Sequence, residues 1–169
     1  MDWGYVKTSY DLLEMMVKAV SLNGNFVLNF GPDGKGNIRS EETKLAKEIG
    51  DWMKINKEAI YGTSHSTVQK QDWGYFTQKG NKLYMCVFNR PINNLLKIEI
   101  PKGGIIPMKA YFLENNQETE IQNAGKNKRN SSLYHVAVPA SYKTDRPFVI
   151  VLEMQENTKE EGEYQQAKI

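Results

Sequence analysis

Asn23-Gly24-Asn25-Phe26-Val27-Leu28-Asn29-Phe30-Gly31-Pro32 is the stretch on which the reading of this chain turns. A turn pair, Asn23-Gly24, comes before it, and Gly31-Pro32 closes it. Between them, Phe26 to Phe30 is mostly apolar and does not alternate. Such a run reads as a strand covered on both faces, the kind found in parallel sheets flanked by helices. Helical patterns lie on either side. No second strand of that kind stands out in the remaining sequence, and one parallel strand makes no sheet. The expectation is a helix–strand–helix piece from the end of an α/β barrel.

Upstream, Thr8 or Ser9 suits a helix cap, with Asp11 in the first turn where the helix dipole favours an anion. Leu12, Met16, Ala19 and Val20 recur at helical spacing and define one apolar face through about Ser21. Asn23-Gly24 then supplies a left-handed stop. Downstream, the loop from Gly31 to Arg39 is rich in glycine. Ser40 is placed to cap a second helix, with Glu41 and Glu42 behind it and Leu45, Ile49, Trp52 and Met53 on its apolar face.

After Tyr61-Gly62 the period changes from helical to two. Leu96, Ile98 and Ile100 alternate with Lys97 and Glu99, which predicts a strand with one wet face. Trp73–Gln78 and Lys82–Phe88 flank Lys79-Gly80-Asn81, a three-residue hairpin signal. Met108–Leu113, Leu133–Val138 and Phe148–Leu152 add three strands, and Thr119–Gln122 a short one. These predict an all-β antiparallel sandwich. The organisation read from the sequence is thus 1–62, the C-terminal end of a (β/α)8 barrel; 63–153, a β-sandwich; and 154–169, a disordered tail of polar composition.

Composition narrows the function classes. Lys and Arg number 22 against 20 Asp and Glu, a net charge of +2. That balance argues against nucleic acid or an anionic membrane as partner. No apolar run approaches the ~20 residues that span a bilayer. The lone Cys86 forms no internal disulfide and suits a small buried apolar residue. His65 and His135 are too few and too far apart to suggest a metal site.

Several motifs together carry a family resemblance. Trp3-Gly4-Tyr5, Asn23-Gly24-Asn25 through Pro32, Gly36-Asn37-Ile38, Ile49-Gly50-Asp51-Trp52 and Glu58-Ala59-Ile60-Tyr61-Gly62-Thr63 resemble, in order and spacing, the α-L-fucosidases of glycoside hydrolase family 29. The likeness is strong over roughly residues 2–64 and architectural beyond them. Ser64-His65-Ser66 departs from it, because the family often places a basic and an aromatic residue there.

The resemblance implies the C-terminal portion of an exo-acting retaining α-L-fucosidase. The complete enzyme would act on fucosylated glycans without cofactor or metal, and would be secreted, periplasmic or lysosomal. It implies that Phe30, at the end of the last barrel strand, lines the fucose pocket, with Trp3 a second substrate-binding candidate beside Tyr5. A phenyl ring there gives the 6-deoxy sugar's methyl group an apolar wall. The plainer reading of Phe30 is a core aromatic.

A retaining glycosidase needs two carboxylates roughly 5–5.5 Å apart. By the resemblance, the nucleophile and the acid/base both fall before Met1. No catalytic residue is therefore assigned in this chain, and it is expected to be inactive without the missing N-terminal barrel portion. Asp33, in Pro32-Asp33-Gly34, reads as a turn aspartate. Apolar surface on helices 9–21 and 40–56 is expected to lack its partner and to promote association. The rival reading is a stand-alone carbohydrate-binding or structural module, with Trp73, Tyr75, Tyr84, Tyr111 and Tyr134 available for sugar stacking.

Overall fold

The computed structural model describes residues 7–101, 103 and 105–155. It contains two helices, α1 (Ser9–Ser21) and α2 (Ser40–Asn56), and a short 3-10 turn (Lys57–Ala59). Nine strands follow: β1 (Ser64–His65), β2 (Gly74–Lys79), β3 (Lys82–Val87), β4 (Leu95–Ile100), β5 (Ile106–Phe112), β6 (Glu118–Thr119), β7 (Ile121–Lys126), β8 (Ser132–Ala137) and β9 (Phe148–Gln155). Every pairing among the described strands is antiparallel.

Thr8 caps α1. Its hydroxyl accepts the Asp11 amide hydrogen at 3.2 Å, while its own amide donates to Asp11 Oδ2 at 2.8 Å. The helix ends where Asn23 enters the left-handed region at φ 62° and the Gly24 amide turns back to the Ala19 carbonyl at 2.8 Å. The second cap differs from expectation. Arg39 occupies the N-cap of α2, where its side chain pairs with Glu42 and caps no backbone amide, and Ser40 is the first helical residue, its hydroxyl turned to Glu41.

The strands form two sheets. Six run in the order β1-β2-β3-β9-β5-β6, and three in the order β4-β8-β7. Between β2 and β3, Lys79 pairs with Lys82, so the loop holds two residues, Gly80 and Asn81, not three. Gly80, at φ 59°, takes the position where such tight hairpins need a positive φ.

Two apolar clusters organise these elements. One lies between the sheets, where Leu83, Met85, Ile150 and Leu152 of the larger meet Leu96, Ile98 and Val136 of the smaller. Trp73 ties them by donating its indole N–H to the Lys97 carbonyl at 2.8 Å. The other cluster covers the opposite face of the six-stranded sheet. There Leu13, Met16 and Val17 of α1 and Trp52 of α2 pack on Tyr75, Tyr84, Cys86, Val149 and Val151. The order of layers is helices, large sheet, small sheet.

This arrangement revises the reading of the opening stretch. Phe26–Phe30 pairs with no strand among the described residues, and Val27 is 79% exposed. An extended run becomes a strand only where a neighbour accepts its backbone hydrogen bonds, and the described residues provide none. The runs that are buried on both faces are Trp73–Thr77, Leu83–Phe88 and Phe148–Leu152. Helices cover one side of their sheet and the second sheet covers the other, so they read as continuous apolar segments although the sheet is antiparallel. β9 also runs to Gln155 and buries Met154, so the strand enters the segment expected to be a tail. The rest of that segment, 156–169, lies outside the described residues.

Candidate functional site

Phe30 is half-buried at the end of the extended segment, directly before the loop Gly31–Arg39. Trp3, its companion in the sequence reading, and Tyr5 lie outside the described residues. The loop is held by Asp33. Its carboxylate accepts the backbone amides of Lys35 at 2.8 Å and Asn37 at 2.9 Å, and the Asn37 side-chain amide at 3.2 Å. A bridge between Pro32 and Ile38 closes the same turn. These bonds, that from Asn37 foremost, hold the Asp33 carboxyl below its usual range. Its lone pairs organise the turn and leave it no role as a proton acceptor for chemistry.

The other interacting carboxylates are likewise held by structural partners. Glu58 Oε1 accepts Lys82 Nζ at 2.9 Å and the Tyr84 hydroxyl at 2.7 Å. Asp51 accepts Lys47 and Lys54, both at 2.8 Å, which brings it down to about 2. Glu14 accepts the Tyr75 hydroxyl, Glu99 an amide of Asn127, and Glu114 the Tyr142 hydroxyl. Among the described residues no group of three or more His, Cys, Asp or Glu could hold a metal ion. Cys86 is fully enclosed, and burial pushes its thiol up to about 12, so thiolate chemistry is suppressed.

The aromatics considered for sugar stacking are structural. Trp73, Tyr75, Tyr84, Tyr111 and Tyr134 are all buried, serving the two clusters between layers. Alternation in the sequence set some of them on the face opposite the core, but did not show that both faces of the sheet would be covered.

One surface feature escaped the sequence reading. A groove of about 330 Å³ lies where the end of α1 passes the β1–β2 edge. Lys18, His65 and Lys70 line it together with Leu22, Val68 and Tyr75. These residues are scattered over more than fifty positions and share no spacing, so only the fold brings them together.

Comparison with known proteins places this geometry among relatives. The family model for alpha-L-fucosidase matches residues 1–58. Alpha-L-fucosidase of Dictyostelium discoideum is 36% identical over 98 residues, 56% of this chain and 21% of that protein. Human tissue alpha-L-fucosidase is 32% identical over 113 residues, 59% of this chain and 24% of its own length. Among solved structures, the family 29 α-L-fucosidase of Bacteroides thetaiotaomicron superposes with a TM-score of 0.80 at 37% identity, over 91% of this chain and 33% of that one. A Bacteroides thetaiotaomicron family 29 enzyme trapped as a covalent intermediate with 2-fluoro-fucosyl fluoride gives a TM-score of 0.80 at 38% identity. The chain spans a quarter or less of these curated relatives.

Proposed function

We propose, from its kinship with the α-L-fucosidases of glycoside hydrolase family 29, that this chain is the C-terminal portion of such an enzyme. Residues 1–62 are read as the closing helix–strand–helix of the catalytic barrel, and 63–153 as the β-sandwich that braces it. The complete enzyme would remove terminal α-linked L-fucose from glycans with retention of configuration. The observation that carries this reading is the superposition on a family 29 fucosidase over 91% of this chain but only 33% of the relative.

The distribution of apolar surface agrees with a missing partner. Among the described residues, the exposed large apolar side chains gather in the first 62 positions, Met15, Val27, Ile38, Ile55 and Tyr61 among them, with Ile92 and Met108 beyond. The sheet covers one face of the helical layer, and the remaining apolar side chains face outward. The unpaired Phe26–Phe30 segment fits the same reading, since a barrel strand needs neighbours on both sides.

Retaining hydrolysis requires a nucleophilic carboxylate and an acid/base carboxylate. By the family resemblance, that pair is assigned to the barrel portion outside this chain. The covalent intermediate trapped in the Bacteroides relative supports retention. Phe30 is proposed as the apolar wall against the sugar's methyl group, with Trp3 beside it.

The test has two arms. Incubated alone with 4-nitrophenyl α-L-fucoside, the chain is expected to release no 4-nitrophenol above the uncatalysed rate. Turnover by the isolated chain would overturn the placement of the carboxylates. In the second arm, the coding sequence upstream of the Met1 codon is read for an open frame of the ~200 further residues that complete a barrel. That longer product should cleave the fucoside, and a stop codon close upstream would remove the enzyme reading.

A further inference from the structure

We propose that the groove between the end of α1 and the β1–β2 edge binds an anionic sugar, a single pyranose carrying a sulfate ester. Two lysines, Lys18 and Lys70, line it beside His65, and no acidic residue does. Neither lysine has a carboxylate partner among the described residues. Lys70 is held by the ring of Tyr75, with Nζ 5.0 Å from the ring centroid. In a chain whose charges nearly balance, a cleft lined by one sign concentrates counter-ions from solution.

The remaining lining fits the rest of such a ligand. Ser66 accepts the Val68 amide at 2.9 Å, which leaves its hydroxyl proton available. The Gln69 carbonyl takes a hydrogen bond from Gln71, while its side-chain amide is unengaged. Leu22, Val68 and Phe76 supply apolar wall, and Leu22 is 71% exposed at the mouth. An apolar wall with a few polar groups and a charged rim suits a ring with one C–H face and hydroxyls at its edge. At about 330 Å³ the groove holds one ring, not a chain. At its edge, Tyr75 donates its hydroxyl to Glu14, so that carboxylate is already engaged with the tyrosine.

The recognition of an anion rests on the groove alone. The choice of a sugar as its carrier rests on the fucosidase reading. Calorimetric titration of the full chain with galactose 6-sulfate, galactose, benzenesulfonate and inorganic sulfate separates these elements. Saturable binding of galactose 6-sulfate is expected, with the other three at least ~10-fold weaker. Lys18→Ala and Lys70→Ala should each weaken it by about tenfold, and Lys18→Ala should leave the melting temperature unchanged, since its charge lies at an exposed site.

Equal affinity for galactose would overturn the anionic recognition, and equal affinity for benzenesulfonate or inorganic sulfate would overturn the sugar. Binding that ignores both substitutions, or no binding, would remove the site. None of these outcomes depends on turnover of a fucoside, so the failure of either proposal is read separately.

Discussion

Glu58 shows how one side chain joins two layers. It stands at the end of the helical layer, in Glu58-Ala59-Ile60-Tyr61-Gly62-Thr63, and reaches Lys82 and Tyr84 of β3. The Lys82 ammonium, then the Tyr84 hydroxyl, hold its carboxyl below 4.5. A folded pKa below the unfolded one stabilises above the unfolded value, and the contribution fades as pH falls through the folded value. Stability measured by urea titration should therefore decline below about pH 4.5, and less steeply in Glu58→Gln. Tyr84→Phe keeps the buried ring and loses only the hydroxyl bond, so a cost of about 1–2 kcal/mol is expected at pH 7 in the same titration. Phe30 invites a different measurement. In the complete enzyme, Phe30→Ala should reduce kcat/KM about tenfold or more for the fucoside, and less for the analogue lacking the C5 methyl group. Equal losses on both substrates would mean that the ring does not meet the methyl.

At the scale of elements, the hairpin of β2 and β3 rests on a close approach. A β-carbon at Gly74 would stand 2.0 Å from the Cys86 carbonyl oxygen, a backbone atom that cannot swing aside. Gly74→Ala is therefore expected to cost about 2–4 kcal/mol, read as a lower melting temperature with the tryptophan fluorescence transition moving in step. The same elements show what periodicity can and cannot reveal. α1, α2, the hairpin and β4 were legible because each has one wet face or a turn with its own chemistry. The runs 26–30, 83–88 and 148–152 all lack strict alternation in sequence, yet of the three only 83–88 and 148–152 are buried on both faces. Which of them pairs, and in which direction, depends on neighbours distant in the chain. The candidate site was legible to a similar degree. Asp33 announced its turn through Pro32 and Gly34, whereas Lys18, His65 and Lys70 carry no local signal for the groove that they share.

At the scale of the molecule, the large sheet is the middle layer and touches everything else. Because α1 and α2 bury Leu13, Val17 and Trp52 on the same sheet whose other face packs on β4 and β8, neither helix has a core of its own. Helical ellipticity at 222 nm and the near-ultraviolet signal of the buried tryptophans are expected to lose structure in a single transition. Two separate transitions would show that the helical layer unfolds alone. The position of β9 carries one more consequence. It lies between β3 and β5, yet it is the last described strand to be synthesised. During translation, the β1–β3 and β5–β6 halves of the sheet emerge without the strand that joins them. Until the ribosome has released Gln155, the nascent chain presents two open edges to its surroundings, which favours pairing with other chains.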